Sequence, residues 1–382
     1  MALDSIGDYV KFYFGLGLSL HFLIWILEVM RSYLCRRSWP DVEVENKRMS
    51  EGGEQAPHGE GQEVYDYDTS AWTCYAIFKV VFAIATGLLP VRLLLFLCFF
   101  FSAALVAAVG SRFSPGSCAF TAARFSFAVC CKGLCTSCAC YASEVVGREH
   151  LKWINKPGVH PIIVPNHITF VEVFHLHWLT GGMSGVMSKG QLGVPLMKHV
   201  AKFLTVIVAD PKDPNTKEKT IQGILKFVEN APNDQGRYPY AGAFTIYPEG
   251  ITGSQHGLFR FNTGAFAPGK AILPCVQRFP YSHMNPGWVS KSKISAGNYG
   301  FAQIVRYMSQ FTMPLQVKFL ELYEPSEAEC KEPVVFANNV QNLMALQLGT
   351  VTTDTSNKIL REKSGPFDFR KKEKPAVEPL LV

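Results

Sequence analysis

The chain has 382 residues, a formal net charge of +6, 18% charged residues and 13% aromatic residues. An ordinary soluble domain carries about 25% charge, so this composition argues against a purely soluble protein and excludes a disordered or collagen-like one. No dense basic stripe accompanies the small positive excess, so nucleic acid is not an expected partner and a membrane surface is.

Residues 12–27 (FYFGLGLSLHFLIWIL) carry no formal charge. With their flanks they predict a membrane helix over residues 1–30, at the short end of what spans a bilayer. Arg31, Arg36 and Arg37 follow at once and place that side in the cytosol. Residues 31–70 read as a flexible, acidic linker with little to bury. The segment 71–145 opens with two apolar runs, 71–90 and 91–110, and residues 93–111 are free of charge. A membrane hairpin bent at Pro90 is expected, with Lys79 snorkelling or facing protein. The chain has 11 cysteines, an odd number, with Cys130, Cys131, Cys135, Cys138 and Cys140 close together. This is not the distribution of a secreted disulfide framework. One C-x2-C without a second pair or an H-x3-H does not make a zinc site. Interfacial packing and thiol acylation beside a membrane are the readings left open.

From residue 146 to 345 the pattern changes. Short apolar runs at 160–166, 184–188, 204–210, 242–250, 270–279 and 315–323 read as strands covered on both faces. Helical stretches lie between them at 170–179 and 216–231. The alternation predicts an α/β domain with a mixed sheet flanked by helices. The last segment, 346–382, is polar and reads as a flexible tail.

At the end of the first of these strands stands Asn166-His167-Ile168-Thr169-Phe170-Val171-Glu172. A histidine followed five positions on by a carboxylate, at a strand-to-helix junction, is a candidate base with its orienting acid. Neutral imidazole takes the proton of an attacking alcohol near pH 7, and the carboxylate fixes its tautomer. The spacing suits a His167 in the turn and a Glu172 in the first turns of the helix. His175 and His177 lie on the same helix and read as packing residues. Cys275 reads as a small buried hydrophobe. Absence of H-E-x-x-H argues against a zinc peptidase.

Downstream come Tyr247-Pro248-Glu249-Gly250-Ile251-Thr252, then Phe261-Asn262-Thr263-Gly264, then Ile272-Leu273-Pro274. Together with Asn166-His167-x4-Glu172, this order resembles the four blocks of the membrane glycerolipid acyltransferase family, the lysophosphatidate acyltransferase type. The stretches 80–97, 278–290 and 322–345 are most similar to the lysophosphatidylcholine acyltransferases within it. The resemblance implies a short form without a calcium-binding half, and no EF-hand loop follows residue 345.

What the resemblance implies is specific. His167 is the general base and Glu172 its orienting acid. Asn166, Glu249, Gly250, Thr252, Gly264 and Pro274 form the substrate site, with no metal. Acyl-CoA is a co-substrate rather than a tightly bound cofactor, and a lysophospholipid in the bilayer is the acceptor. Backbone N–H groups near residues 250–252, or at the start of the 169–179 helix, are the expected oxyanion donors. The implied place is the endoplasmic reticulum membrane, with the catalytic domain facing the cytosol. The implied reaction converts lysophosphatidylcholine to phosphatidylcholine. Lysophosphatidylethanolamine, lysophosphatidate and glycerol 3-phosphate are the alternative acceptors, and a non-enzymatic membrane acyl-CoA- or lipid-binding protein is the alternative from another class.

Two departures from the family pattern stand out. Glu172 replaces the usual Asp, one methylene longer. The Arg of the second block is absent from 205–210, where Asp210 lies nearest its place. That loss favours a zwitterionic headgroup, with Lys212, Lys217 and Lys219 as nearby substitutes. Lys189, Lys198 and Lys202 read equally as CoA-phosphate ligands or as a solvated basic face.

Overall fold

The computed structural model describes residues 6–34, 55–59, 73–141, 143–155, 161–210, 212–229, 242–281, 284–287 and 296–356. Most of the linker expected over 31–70, and the tail beyond residue 356, lie outside the described residues.

Four helices precede the sheet among the described residues: α1 (Ile6–Leu34), α2 (Cys74–Ala85), α3 (Leu88–Gly110) and α4 (Cys118–Ser137). Ser117 and Thr73 cap α4 and α2 by accepting backbone N–H groups with their hydroxyls. Three of the helices, α1 over Ile6–Arg31, α3 and α4, are long and apolar enough to cross a membrane. A rise of 1.5 Å per residue makes about 20 residues sufficient for the hydrocarbon core. The hairpin turns at Thr86 and Gly87, not at Pro90. Gly87 has a φ of 74°, and a Cβ there would stand 2.6 Å from the carbonyl oxygen of Tyr13 on α1. Pro90 lies in the first turn of α3, where a missing N–H removes no helical bond. The turn therefore falls before it.

The α/β region contains a seven-stranded sheet in the order β1-β8-β7-β2-β5-β3-β4. Its strands are β1 (Ser143–Val146), β2 (Ile162–Pro165), β3 (Met183–Ser188), β4 (Ile207–Ala209), β5 (Ala243–Thr245), β7 (Ile272–Arg278) and β8 (Leu315–Phe319). A small pair, β6 (Gly257–Leu258) and β9 (Val351–Thr352), stands beside it. β7, β2, β5, β3 and β4 run parallel, and β8 with β1 runs the other way. The mixed sheet matches the sequence expectation, and each of the six expected runs contains a strand. β1 was not expected. It places residues 143–146 in the sheet rather than in the Cys-rich segment.

Alternation along the strands explains the two-sided core. Ile162 and Val164 of β2, with Ile272 and Val276 of β7, face α7 (Thr216–Glu229) and α10 (Pro333–Leu348). Ile163, Leu273 and Cys275 face the other side, toward α5 (Val171–Thr180) and α8 (Ala296–Met308). A fully buried side chain of this size contributes roughly 1.5–3 kcal/mol, so neither face can be left open. Ile24, Leu89 and Phe96 of the membrane helices pack on the second face. Two short helices, α6 (Met197–Phe203) and α9 (Glu327–Lys331), complete the set.

Arg92 of α3 joins the membrane helices to this face. It is fully buried. Its Nη1 donates to the carbonyl oxygens of Met308, at 2.5 Å, and of Gln310. Nη2 donates to Phe311 O at 3.3 Å and to the Tyr141 hydroxyl at 2.6 Å. A cation thus satisfies the carbonyls at the C-terminal end of α8. Tyr141 meets His21 Nδ1 of α1 at 3.0 Å. Lys79 faces protein, donating to Gln310 Oε1 at 2.6 Å.

Candidate active site

The five parallel strands end at one edge of the sheet, and the candidate residues gather there, as expected for an open α/β sheet. β2 ends at Pro165, and α5 begins at Val171. Glu172 is the second residue of α5, and its fully buried carboxylate folds back over the turn. Oε1 stands 2.9 Å from His167 Nδ1 and accepts the N–H groups of Ile168 (2.8 Å) and Thr169 (2.7 Å). A negative charge at a helix N-terminus is also favoured by the helix dipole. With Nδ1 committed to Glu172, the ring carries its proton there, and Nε2 is the nitrogen available to a substrate.

Two further residues hold the turn. Glu249, 1% exposed, accepts the His167 N–H on Oε1 (2.9 Å) and the Phe259 N–H on Oε2 (3.0 Å). Burial pushes its carboxyl up to about 8, opposed by these two N–H bonds and reinforced by the nearby charge of Glu172. Tyr247 lays its ring 4.3 Å from the His167 ring, centroid to centroid, at 36°. Its hydroxyl is buried beside the Gln277 side chain, and its pKa is raised by burial.

Asn166 does not offer its amide to a substrate. Its Oδ1 accepts the Gln277 N–H (2.7 Å), and its Nδ2 donates to the Gln277 carbonyl oxygen (3.0 Å). Gln277 Nε2 returns a bond to Asn166 O at 3.2 Å. The asparagine side chain thereby continues the β2–β7 ladder one step beyond the strand.

A cavity of about 340 Å³ opens beside His167, near the small end of ligand cavities. Asn166, His167, Glu249, Gln255, Gln277 and Arg278 are among its lining residues. Gly250, Thr252, Gly264 and Pro274 are not among them. Gly250, at φ 65°, makes the turn after Glu249, and its N–H goes to Tyr247 O (3.1 Å). Thr252 is half-buried on the same loop. Gly264 sits in a short 3-10 turn with open space around its Cα hydrogen. Pro274 lies within β7, its carbonyl oxygen accepting the Leu320 N–H, three positions before the cavity begins at Gln277. The Thr169 N–H, one of the expected oxyanion donors, is engaged by Glu172.

The remaining candidates fall outside the cavity. His175 is fully buried and held neutral by burial, with Lys132 and Arg148 nearby adding to the effect. His177 accepts the Met183 N–H on Nδ1 (3.2 Å), and burial lowers its pKa to about 4. Both histidines are packed, as their sequence reading holds. Cys275 is buried in β7. All five clustered cysteines, in the second half of α4 and just beyond it, are buried, a packing role that leaves none of these five thiols accessible for acylation. Among the described residues no group of three His, Cys, Asp or Glu is placed to hold a metal. Lys189 pairs with Asp210 and Lys219 with Asp213, each at 2.6 Å on the exposed surface. None of Lys189, Lys198, Lys202, Lys212, Lys217 and Lys219 lines the cavity.

Sequence reasoning missed Gln277, Gln255 and Arg278. Gln255 is a non-glycine residue at φ 69°; its Oε1 accepts the Phe279 N–H (2.7 Å) and its Nε2 donates to Asn285 (3.1 Å), bracing the cavity wall. Only the position of Arg278, four residues after Pro274 on the strand of the fourth block, signals its proximity.

Residues 143–277 match the family model described as Acyltransferase, beginning where β1 begins. Lysophosphatidylcholine acyltransferase 2B of Mus musculus is 31% identical over 191 residues, covering 50% of this chain and 34% of that protein. Lysophosphatidylcholine acyltransferase 2 of Homo sapiens is 28% identical over 205 residues, covering 53% and 35%. Lysophospholipid acyltransferase LPEAT1 of Arabidopsis thaliana is 26% identical over 193 residues, covering 50% and 45%. The matched part of this chain spans about a third to under half the length of these relatives. The crystal structure of the 1-acyl-sn-glycerophosphate acyltransferase PlsC from Thermotoga maritima is similar over 64% of this chain and 93% of that one, at 15% identity and a TM-score of 0.38.

Proposed function

We propose that the protein transfers a fatty acyl chain from acyl-CoA to the free hydroxyl of a lysophospholipid, lysophosphatidylcholine first among them. The observation that carries this reading is the 2.9 Å contact between His167 Nδ1 and Glu172 beside the cavity. The match to the acyltransferase family model and the similarity to relatives named for lysophosphatidylcholine support the substrate class.

The acceptor hydroxyl sits at His167 Nε2. As its oxygen forms a bond to the thioester carbonyl carbon, its proton passes to Nε2. Glu172 stabilises the imidazolium that results, as the acid of a catalytic triad does. The tetrahedral intermediate then breaks its C–S bond, and the departing thiolate takes the proton from Nε2. His167 returns to its starting state. The acyl group arrives already activated, so no enzyme nucleophile is required. Three helices apolar enough to cross a bilayer hold the domain at a membrane, where lysolipids reside. We place that membrane in the endoplasmic reticulum, with the site on the cytosolic leaflet where acyl-CoA is available.

The test supplies purified protein in lipid vesicles with labelled acyl-CoA and a panel of acceptors: lysophosphatidylcholine, lysophosphatidylethanolamine, lysophosphatidate and glycerol 3-phosphate. Labelled phosphatidylcholine as the main product is expected. Label moving into none of the four would overturn the proposal, and a different preferred acceptor would replace the headgroup.

A further inference from the structure

We propose that Tyr247 is a positioning residue for acyl transfer, its aromatic face steadying the imidazolium that His167 becomes when it takes the acceptor's proton. This inference rests on the acyl-transfer reading above and adds a second group, besides Glu172, that acts on the charged ring.

The strands bring the two rings together. β5 lies beside β2, and the Ile246 N–H donates to Ile163 O at 3.0 Å, so the ladder runs one residue past the end of β5. Tyr247 comes next. Along this stretch Phe244 and Ile246 pack on one face of the sheet, and Ala243 and Tyr247 pack on the other, with Val171 and Leu176 of α5. Glu172 stands at the start of that same helix. His167 is thus met by Tyr247 from the sheet and by Glu172 from the helix.

The two partners take different parts of the imidazole. Glu172 Oε1 takes its edge, 2.9 Å from Nδ1. Tyr247 takes a face, with centroids 4.3 Å apart and planes at 36°. That separation is well inside the roughly 6 Å over which a cation is drawn to an aromatic face. Glu249, the other nearby acid, holds the His167 backbone N–H and not the ring. The Tyr247 hydroxyl is buried, with Gln277 and Cys275 of β7 as neighbours, and Tyr247 does not line the cavity. Its ring therefore acts on His167 and not on substrate.

This contact favours the transition state over the ground state. A neutral imidazole gains packing from the tyrosine ring. An imidazolium, formed as the acceptor oxygen bonds to the thioester carbon, gains the attraction of the negative ring face as well. An interaction that strengthens only as the charge develops raises kcat and leaves substrate binding alone.

The test varies the charge on the ring face at nearly constant shape. Wild type, Tyr247→Phe, Tyr247→Leu, and protein carrying 4-fluoro- or 3,4,5-trifluorophenylalanine at position 247 are assayed in vesicles with acyl-CoA and lysophosphatidylcholine. Fluorine draws negative charge away from the face and adds little bulk. The value of kcat should fall stepwise with fluorine, to ~2- to 30-fold below Tyr247→Phe, the range of a cation–π contact. Tyr247→Phe keeps the face and most of the rate, whereas Tyr247→Leu loses the face and falls at least as far as the trifluoro protein. KM for both substrates stays within about twofold throughout. A kcat that is flat across the fluorinated series, as packing alone would give, overturns the inference while the acyl-transfer reading stands. So does an effect confined to KM. A wild type that acylates no lysolipid overturns both. Where Tyr247→Phe does not fold, 3,5-difluorotyrosine at position 247 keeps the hydroxyl and replaces the series. A kcat lower than wild type by ~2-fold or more then supports the inference, and an equal kcat overturns it.

Discussion

Glu172 reaches His167 only by folding back over the start of its own helix, and a single oxygen, Oε1, meets His167 Nδ1 and the N–H groups of Ile168 and Thr169. The side chain needs its full length for this. An aspartate at 172 would fall short by roughly one C–C bond, ~1.5 Å. Glu172→Asp therefore keeps the charge and loses the geometry, and Glu172→Gln keeps the length and loses the charge. Both should lower kcat, by ~10-fold or more and ~100-fold respectively, with KM for the acceptor little changed. Steady-state kinetics on the two variants checks this. An aspartate variant at wild-type kcat would show that the longer side chain is dispensable.

His167 itself should carry the proton transfer. Its side chain is 21% exposed and stacks on Tyr247, so its removal costs some packing as well as the base. His167→Ala should lose at least ~10²-fold in kcat, the lower range for a positioned base. Its thermal midpoint should fall while the fold is retained, because Glu172 keeps the N–H groups of Ile168 and Thr169. A variant that transfers acyl groups at the normal rate would remove His167 from the mechanism.

Much of this arrangement is legible from the sequence because it is local. Asn166, His167 and Glu172 lie within seven consecutive positions at a strand-to-helix junction, and the alternation of apolar runs places that junction at the edge of a sheet. The supporting contacts are of another kind. Glu249 holds the backbone of His167 across 82 positions, and Gln277 holds Asn166 across 111. Each ends on a backbone group at one side, and a backbone group leaves no residue type to read. Pro274 lies within β7 and Gly264 in a short 3-10 turn, places that their motif positions alone do not reveal. The hairpin bend went to Gly87 rather than Pro90 because the turn needs a positive φ, whereas the first turn of a helix tolerates proline.

The buried Glu249 gives the fold a pH dependence. Its pKa in the folded protein, about 8, is raised above the ordinary value of 4.5. A raised pKa means that the folded state holds a proton the unfolded chain has released. The associated stability is complete below about 4.5 and is lost as pH climbs through about 8. Across that window the loss is at most ~1.4 kcal/mol per pH unit. Glu249→Gln removes the titration but sets an NH2 group against one of two backbone N–H groups, costing ~1–3 kcal/mol. Thermal midpoints from about pH 5 to about pH 9 should fall for wild type and stay flatter for the variant, the curves approaching each other at high pH. Parallel curves would assign the pH dependence elsewhere.

The membrane helices should also be needed for a stable catalytic domain, through Arg92. Its guanidinium serves three carbonyl oxygens and the Tyr141 hydroxyl at the end of α8. Arg92→Met fills similar space and leaves those acceptors without their donor. Each buried polar group so stranded costs ~1–3 kcal/mol. At roughly 2–4 °C per kcal/mol for a larger domain, the midpoint in detergent should fall by at least ~5 °C. The effect should extend to catalysis, because α8 carries Tyr307. The Tyr307 hydroxyl meets the Pro286 carbonyl oxygen at 2.5 Å and the Thr169 hydroxyl at 3.1 Å, and the Thr169 N–H is held by Glu172. Loosening α8 therefore loosens the turn that aims His167. Arg92→Lys should recover only part of both losses, since one ammonium does not span four acceptors. A methionine variant with an unchanged midpoint and rate would show that the hairpin merely anchors the domain and does not brace it.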